Sequence, residues 1–314
     1  MGIGMNGRAM LAMFVSTAAF IFNSAIFKYA AHYMPTGQFI FLEGVVTCAF
    51  MGVLSLFCGN FRVGWQLLHP TVLARCVLEV ASTLMYMTAL TKMPMANVSA
   101  VLQAMPLMVT AGAAVFYGEV VGWRRWSAIA LGFVGVLLVL QPDAGGFDLW
   151  STLALGSVLC RALRDLVTRA MPKGLPCLSV CFVVCVSVTL MGLGVGVAEE
   201  WVVLEGWHAL PVISGSFFQI AAYILALIAV RFGDMVAVAP VRYTGLLWAA
   251  GLGVLIWGHV PDMLTGAGMG IIVASGLYMV YREHVRASEG RKMVRALKES
   301  SAESAAGLEQ AGVT

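Results

Sequence analysis

Ten runs of about twenty mostly apolar residues follow one another along this chain, and they narrow its folding options more than any other feature. A helix needs about 20 such residues to cross a bilayer, and backbone in hydrocarbon must satisfy its own hydrogen bonds. The first five runs lie at 10–30, 38–58, 71–91, 97–117 and 123–140, the second five at 148–170, 178–198, 210–230, 235–257 and 264–281. No long two-residue alternation is present, so the pattern predicts an all-α integral membrane protein rather than a β-barrel. Composition agrees. Hydrophobic residues make up 60% and charged residues 11%, where soluble domains run to about 45–50% and about 25%. That balance argues against aqueous enzymes, nucleic-acid binders and disulfide scaffolds. Nineteen Lys and Arg against sixteen Asp and Glu leave +3, no basic excess for a polyanion.

Arg8 precedes the first run as in a secretory signal, but the run is long and no small-residue cleavage site follows Phe27-Lys28-Tyr29. It reads as the first span. With the N-terminus placed inside, outside segments hold only Lys28 and Lys92. Arg75, Arg161, Arg164 and Arg242 lie within spans, and the other thirteen basic residues fall inside. The positive-inside rule then puts both termini in the cytoplasm of an inner-membrane, multi-pass protein. Residues 282–314 switch to charged and small types and read as a cytoplasmic tail.

The chain also looks duplicated. Tyr86, Ala96-Asn97, Pro106 and Gly118-Glu119 follow in the order and spacing of Tyr223, Gly233-Asp234, Pro240 and Gly258-His259. Two repeats, 10–140 and 148–281, of five spans each sit in opposite orientations. Inverted repeats mark secondary carriers, whose site lies near the midplane where the halves meet. Proline in matching spans loosens each helix and frees carbonyl groups there.

Pro106, Gly118-Glu119, Trp126, Gly132 and Gly135 in the first half, with Pro240, Arg242-Tyr243, Leu247-Trp248, Pro261-Asp262 and Ser275-Gly276 in the second, resemble the repeats of the drug/metabolite transporter superfamily, specifically its ten-helix EamA-type carriers. The resemblance covers roughly residues 10–284. Pro240-x-Arg242-Tyr243, with Arg164-Asp165 late in the sixth span, is similar to carriers of S-adenosylmethionine or riboflavin. The resemblance therefore implies uptake of a vitamin-like or cofactor-like solute by alternating access. Two departures stand out: Glu43 where relatives often carry Arg, and Gly258-His259 where the second repeat often ends Gly-Glu.

Charges within spans belong inside the bundle or near an interface, since each costs roughly 2.5–3.5 kcal/mol in hydrocarbon. Arg75 and Glu79 share a face at i, i+4, with Tyr86 seven further on. They read either as a local ion pair or as a cavity wall with a titratable carboxylate. Arg161 and Asp165 repeat the geometry beside Arg164, as a self-paired, snorkelling group or as a gate. Arg242 has no acid at i±3 or i±4. Gly245 and Ala249 leave room on its face, and its planar fork suits a carboxylate or phosphate. A bridge to Glu43, Glu79 or Asp165 is the alternative. Tyr243, Trp248, Tyr86, Gln103 and Tyr223 complete the expected solute contacts, although Gln103 and Tyr223 serve equally as interhelical glue. Glu43, Glu79, Asp165, Arg75, Arg161 and Arg164 are the expected proton-coupling or gating residues.

Cys177, Cys181 and Cys185 share a face, but with no histidine nearby they read as core residues rather than a metal site. Gly266 and Gly270 read as a helix-packing pair. No cofactor is expected and no P-loop is present. The expected partners are a small-molecule solute and membrane lipid, with no nucleic acid; a homodimer stays open. The rival functions are export of amino acids, opine-type metabolites or drugs by the same fold, a non-transporting membrane module, and an intramembrane enzyme.

Overall fold

The structure is a computed structural model that describes residues 5–57, 65–119, 121–142, 148–172, 175, 177–203, 206–232, 238–282 and 285. Its helices are α1 (Met5–Ala30), α2 (Thr36–Phe57), α3 (Pro70–Lys92), α4 (Met95–Leu102), α5 (Met105–Tyr117), α6 (Trp123–Leu140), α7 (Leu149–Arg169), α8 (Cys177–Gly196), α9 (Leu210–Phe232), α10 (Thr244–Trp257) and α11 (Met263–Arg282). Most of the expected charged tail, and Gly233-Asp234, lie outside the described residues.

Nine stretches of the described chain are long and apolar enough to cross a bilayer. The sixth expected span, α7, is a full 21-residue helix. Arg161, Arg164 and Asp165 make it too charged to qualify by composition, and it needs partners inside the bundle instead. Local chemistry sets the helix ends. Pro70 occupies the first turn of α3, where its missing N–H costs nothing, and the His69 side chain accepts from Thr71 N. Asp148 caps α7 by accepting from Ser151 N at 3.0 Å.

Two spans are broken, in matching places. The fourth divides into α4 and α5 at Gln103-Ala104, just before Pro106. The ninth opens as a 3-10 turn, Ala239–Tyr243, around Pro240 and becomes α-helical only at Thr244. Each proline removes a donor and crowds the carbonyl four residues back. Both broken spans end alike. Gly118 and Gly258 adopt left-handed backbone, at φ 64° and 68°, and Glu119 N and His259 N reach back to Ala113 O and Gly253 O. This is a left-handed C-cap that favours glycine.

Packing follows the duplication. Along the chain the spans are α1, α2, α3, α4/α5 and α6, then α7, α8, α9, α10 with its 3-10 turn, and α11. The major helix pairs are α1 with α9, α2 with α8, and α3 with α7, and α4 also packs on α10. Gly135 of α6 and Gly268 of α11 bring those two backbones close together. Exchanging each span with its counterpart five places on turns α1·α9 into α7·α3 and returns the other pairs to themselves. The contacts therefore obey a pseudo-two-fold, with α2/α8, α4–α5/α10 and α6/α11 along its axis. The expected packing pair Gly266 and Gly270 meets nothing within 4 Å. The close approach is made by Gly268, because it is the glycine turned toward α6.

The largest apolar core runs from Phe27, Phe39, Leu90 and Met95, where α1 and α3 end and α2 and α4 begin, through Leu107 and Ala249 to Ile129 near the start of α6 and Met279 near the end of α11. Two smaller clusters lie apart from it: Leu67, Val72, Cys76, Val180 and Val184 join α3 to α8, while Ala9, Met13, Ala229 and Val238 join α1 to α9.

Candidate functional site

The charged residues of α3 and α7 meet across the helix interface rather than along each helix. Arg164 Nη1 donates to both Glu79 oxygens, at 3.1 and 2.9 Å, and its Nε and Nη2 donate to Asp165 Oδ1 at 2.9 and 2.8 Å. Arg164 and Glu79 are largely buried, with side chains 17% and 14% exposed. This corrects the expected i, i+4 pairs: among the described residues neither Arg75–Glu79 nor Arg161–Asp165 forms. Antiparallel packing of α7 on α3 sets a guanidinium opposite Glu79, and its fork saturates that carboxylate. Arg75 turns instead to the Thr168 hydroxyl of α7.

Arg161 is left without a carboxylate. Its guanidinium lies 5.1 Å from the Tyr86 ring centroid, in cation–π contact. Its Nε is buried and has no hydrogen-bond partner among the described residues. The Tyr86 hydroxyl meets Ser24 Oγ of α1 at 3.1 Å. Tyr223 of α9 closes the ring of groups. It stands within electrostatic reach of Glu79, Arg161, Arg164 and Cys185, yet it is 40% exposed. Phe20 of α1 packs edge-on against it at 5.4 Å. The cluster between α3 and α7 therefore carries three arginines (Arg75, Arg161, Arg164) against two carboxylates, with aromatic rings of α1, α3 and α9 beside it.

A second group gathers where the two broken spans cross. Gln103 Nε2 donates to Arg242 O at 3.0 Å, so one helix break ties down a backbone carbonyl of the other. The Arg242 side chain is exposed and pairs with no carboxylate among the described residues, neither Glu43, Glu79 nor Asp165. Tyr243 is buried against Gly276 of α11, and Trp248 packs on Phe14 and Phe22 at 5.5 and 6.1 Å. Of the expected solute contacts, Tyr86 and Tyr223 thus stand beside the α3–α7 charges. Gln103, Tyr243 and Trp248 make contacts to the 3-10 turn before α10, to α11 and to α1 instead. An apolar cleft of about 350 Å³ between α3, α5 and α7, lined by Ala74, Phe116, Tyr117 and Leu163 among others, contains none of the expected site residues.

Three polar groups on α1 escaped the sequence reading. Lys28, counted there as an outside charge, is buried; its ammonium donates to Met93 O at the end of α3 and lies 5.5 Å from the Trp257 ring. Asn23 Nδ2 donates to Gln219 Oε1 of α9 at 2.8 Å, and Ser16 Oγ to Ala222 O at 2.8 Å. The available signal was polar side chains within the longest apolar run. Glu43 is buried on α2, beside Asn23. The side chain of Cys177 lies outside the described residues.

A polytopic bundle of two matching halves, with charged groups gathered between them, has the architecture of a membrane carrier. The profile of the EamA-like transporter family matches residues 7–141 and again 148–282. The chain belongs to that family, part of the drug/metabolite transporters. Among curated proteins it is similar to an S-adenosylmethionine uptake transporter of Rickettsia felis, 26% identical over 62% of this chain. That alignment spans 66% of the relative, just under two thirds of its length. A riboflavin transporter of Rhizobium johnstonii is 27% identical over 74% of this chain and 76% of its own. The pseudopaline exporter CntI of Pseudomonas aeruginosa is 24% identical over 82% and 91%. A solved crystal structure shares the fold at a TM-score of 0.59 and 18% identity, covering 90% of this chain and 98% of that one.

Proposed function

We propose that this chain is a secondary carrier that takes up a small, flat, carboxylate-bearing metabolite of the S-adenosylmethionine type by alternating access. Arg161 carries the reading. A partly buried arginine beside the Tyr223 ring, where we place the solute cavity, with one face on Tyr86 and with no partner for its buried N–H and no ion pair among the described residues, suits a carboxylate. The aromatic faces of Tyr86 and Tyr223 suit a flat ring. Arg242 stands at the second helix break as a further anion contact. The Arg164–Glu79–Asp165 group acts as the gate, because its bonds join α3 of one repeat to α7 of the other. With the N-terminus in the cytoplasm, the starts of α1 and α3, with their two separate small apolar clusters, face inward, in an inner membrane. Residues 282–314 then form a cytoplasmic tail behind repeats 10–140 and 148–281.

The test is ligand-induced stabilisation of the purified protein with S-adenosylmethionine, riboflavin, free amino acids and an opine-type carboxylate. A ligand that binds the folded state raises the melting point by mass action. The expected result is a shift with carboxylate-bearing compounds that is lost in Arg161→Ala and partly kept in Arg161→Lys. A neutral flavin that stabilises wild type and both variants equally would make Arg161 structural and favour riboflavin. The similarity to an exporter over most of the chain supports the outward reading of the same fold. Flux in right-side-out against inverted vesicles separates the two.

A further inference from the structure

We propose that Glu43, together with Asn23 and Gln219, forms a proton-coupling site, distinct from the solute cavity, that takes up one proton per transport cycle. It rests on the carrier reading above.

Glu43 sits in α2 at 7% exposure. Asn23 of α1 is the polar side chain beside it, and Glu43 makes no ion pair among the described residues. From the helices around it, the polar and titratable groups are few. From α1 come Asn23 and, a turn beyond, Lys28, whose ammonium is tied to Met93 O. From α8 come Thr189, packed on Gly44, and Cys185, whose carbonyl accepts from Thr189. From α9 come Gln219 and, a turn beyond, Tyr223, which faces the α3–α7 charges. A carboxylate buried with no cation is costly, and groups so placed bind a proton or a positive ion.

The hydrogen bonding favours the proton. Two buried oxygens, Glu43 Oε1 and Asn23 Oδ1, have no donor among the described residues. One proton on the carboxyl turns one acceptor into a donor and relieves that shortage. Meanwhile Asn23 Nδ2 is engaged with Gln219 Oε1. An ionised Glu43 calls for amide donors, and Asn23 is the one at hand. Losing the proton therefore pulls, through the second N–H, on the amide that makes the Asn23–Gln219 bond. That bond joins α1 of the first repeat to α9 of the second, so the protonation state of Glu43 biases the contact between the halves. The proton comes from the aqueous phase on one side and leaves to the other; no covalent bond changes apart from the carboxyl O–H.

The test uses the full chain reconstituted in liposomes, with two readouts. The infrared spectrum of wild type at neutral pH is expected to hold a protonated-carboxyl band that Glu43→Gln lacks; identical spectra overturn the proposal. The second readout is uptake of labelled S-adenosylmethionine and riboflavin with the membrane potential clamped. A gradient of about one pH unit supports up to about tenfold accumulation at one proton per solute, equivalent to ~1.4 kcal/mol. Glu43→Gln is expected to keep solute exchange and lose this accumulation, while Glu43→Asp keeps it with a displaced pH profile. Undiminished accumulation in Glu43→Gln, or accumulation driven by sodium alone, overturns the proposal. If wild type moves neither solute, the carrier reading fails for those compounds while the infrared comparison still decides Glu43. Should Glu43→Gln not fold, Glu43→Asp supplies both readouts.

Discussion

Arg164 shows how a charge is tolerated in a membrane bundle. Its three nitrogens make four hydrogen bonds to two carboxylates from two helices, and Arg164 and Glu79 give up most of their water while Asp165 stays 37% exposed. Removing one member of such a set leaves the others buried and unpaired, at about 3–5 kcal/mol. Arg164→Ala is expected to lose most of that in a thermal melt, and the double change with Glu79→Gln to lose less than the single. An equal loss in both would show the pair to be energetically idle. Outside the spans, Asp148 gives a pH signature. The Ser151 hydroxyl and backbone N–H hold its carboxyl below the ordinary carboxylate range. A depressed carboxylate stabilises the fold above its unfolded pKa, and that contribution fades as pH falls through the folded value. Asp148→Ala should therefore cost about 0.5–2 kcal/mol at neutral pH, as lost caps do, with the difference from wild type shrinking in acid. A constant difference across pH would assign the effect to something other than the carboxylate.

Among the elements, α6 and α11 test which small residues matter. A Cβ on Gly135 would sit 2.9 Å from Gly268 O, with Ile272 equally close, so one helix has to move. Overpacking of that kind costs about 1–3 kcal/mol. Gly135→Ala is expected to lower the melting point while Gly266→Ala, in open space, leaves it unchanged or raised. The reverse order would place the interface elsewhere. The broken spans make a related point. Proline disrupts both at corresponding positions, and Gln103 satisfies one of the exposed carbonyls, so the irregular backbone is held inside the protein, as hydrocarbon requires.

For the molecule as a whole, the asymmetry of its cores is the informative fact. One apolar core runs from Phe27 and Met95 to Ile129 and Met279, while two small clusters apart from it join α1 to α9 and α3 to α8. Two repeats with the same contacts need not adopt identical packing, and their exchange of roles moves the opening from one face to the other. Tyr223→Cys should be labelled by a membrane-impermeant maleimide from the cytoplasmic face and be protected from the outer face. Labelling from the outside alone would invert the proposed orientation.

The apolar runs, their count and the duplication were all readable in the linear chain, because a bilayer imposes a length and a polarity on each span whatever its neighbours are. Pro106 and Pro240 announced the two breaks for the same local reason. The partners of the charges were not readable. Arg75 and Glu79 share a helix face, yet their bonds run to Thr168 and Arg164, because antiparallel packing brings α7 closer than the next turn of α3. Arg161, ranked in the sequence with the gating charges, is left against Tyr86 with no carboxylate among the described residues once Arg164 has taken both acids. Asn23 and Gln219 sit 196 residues apart, and nothing in either run signals the other. Periodicity reports which residues leave water, whereas only the packed bundle decides which of them meet, since that choice depends on helix rotation and register across the two repeats.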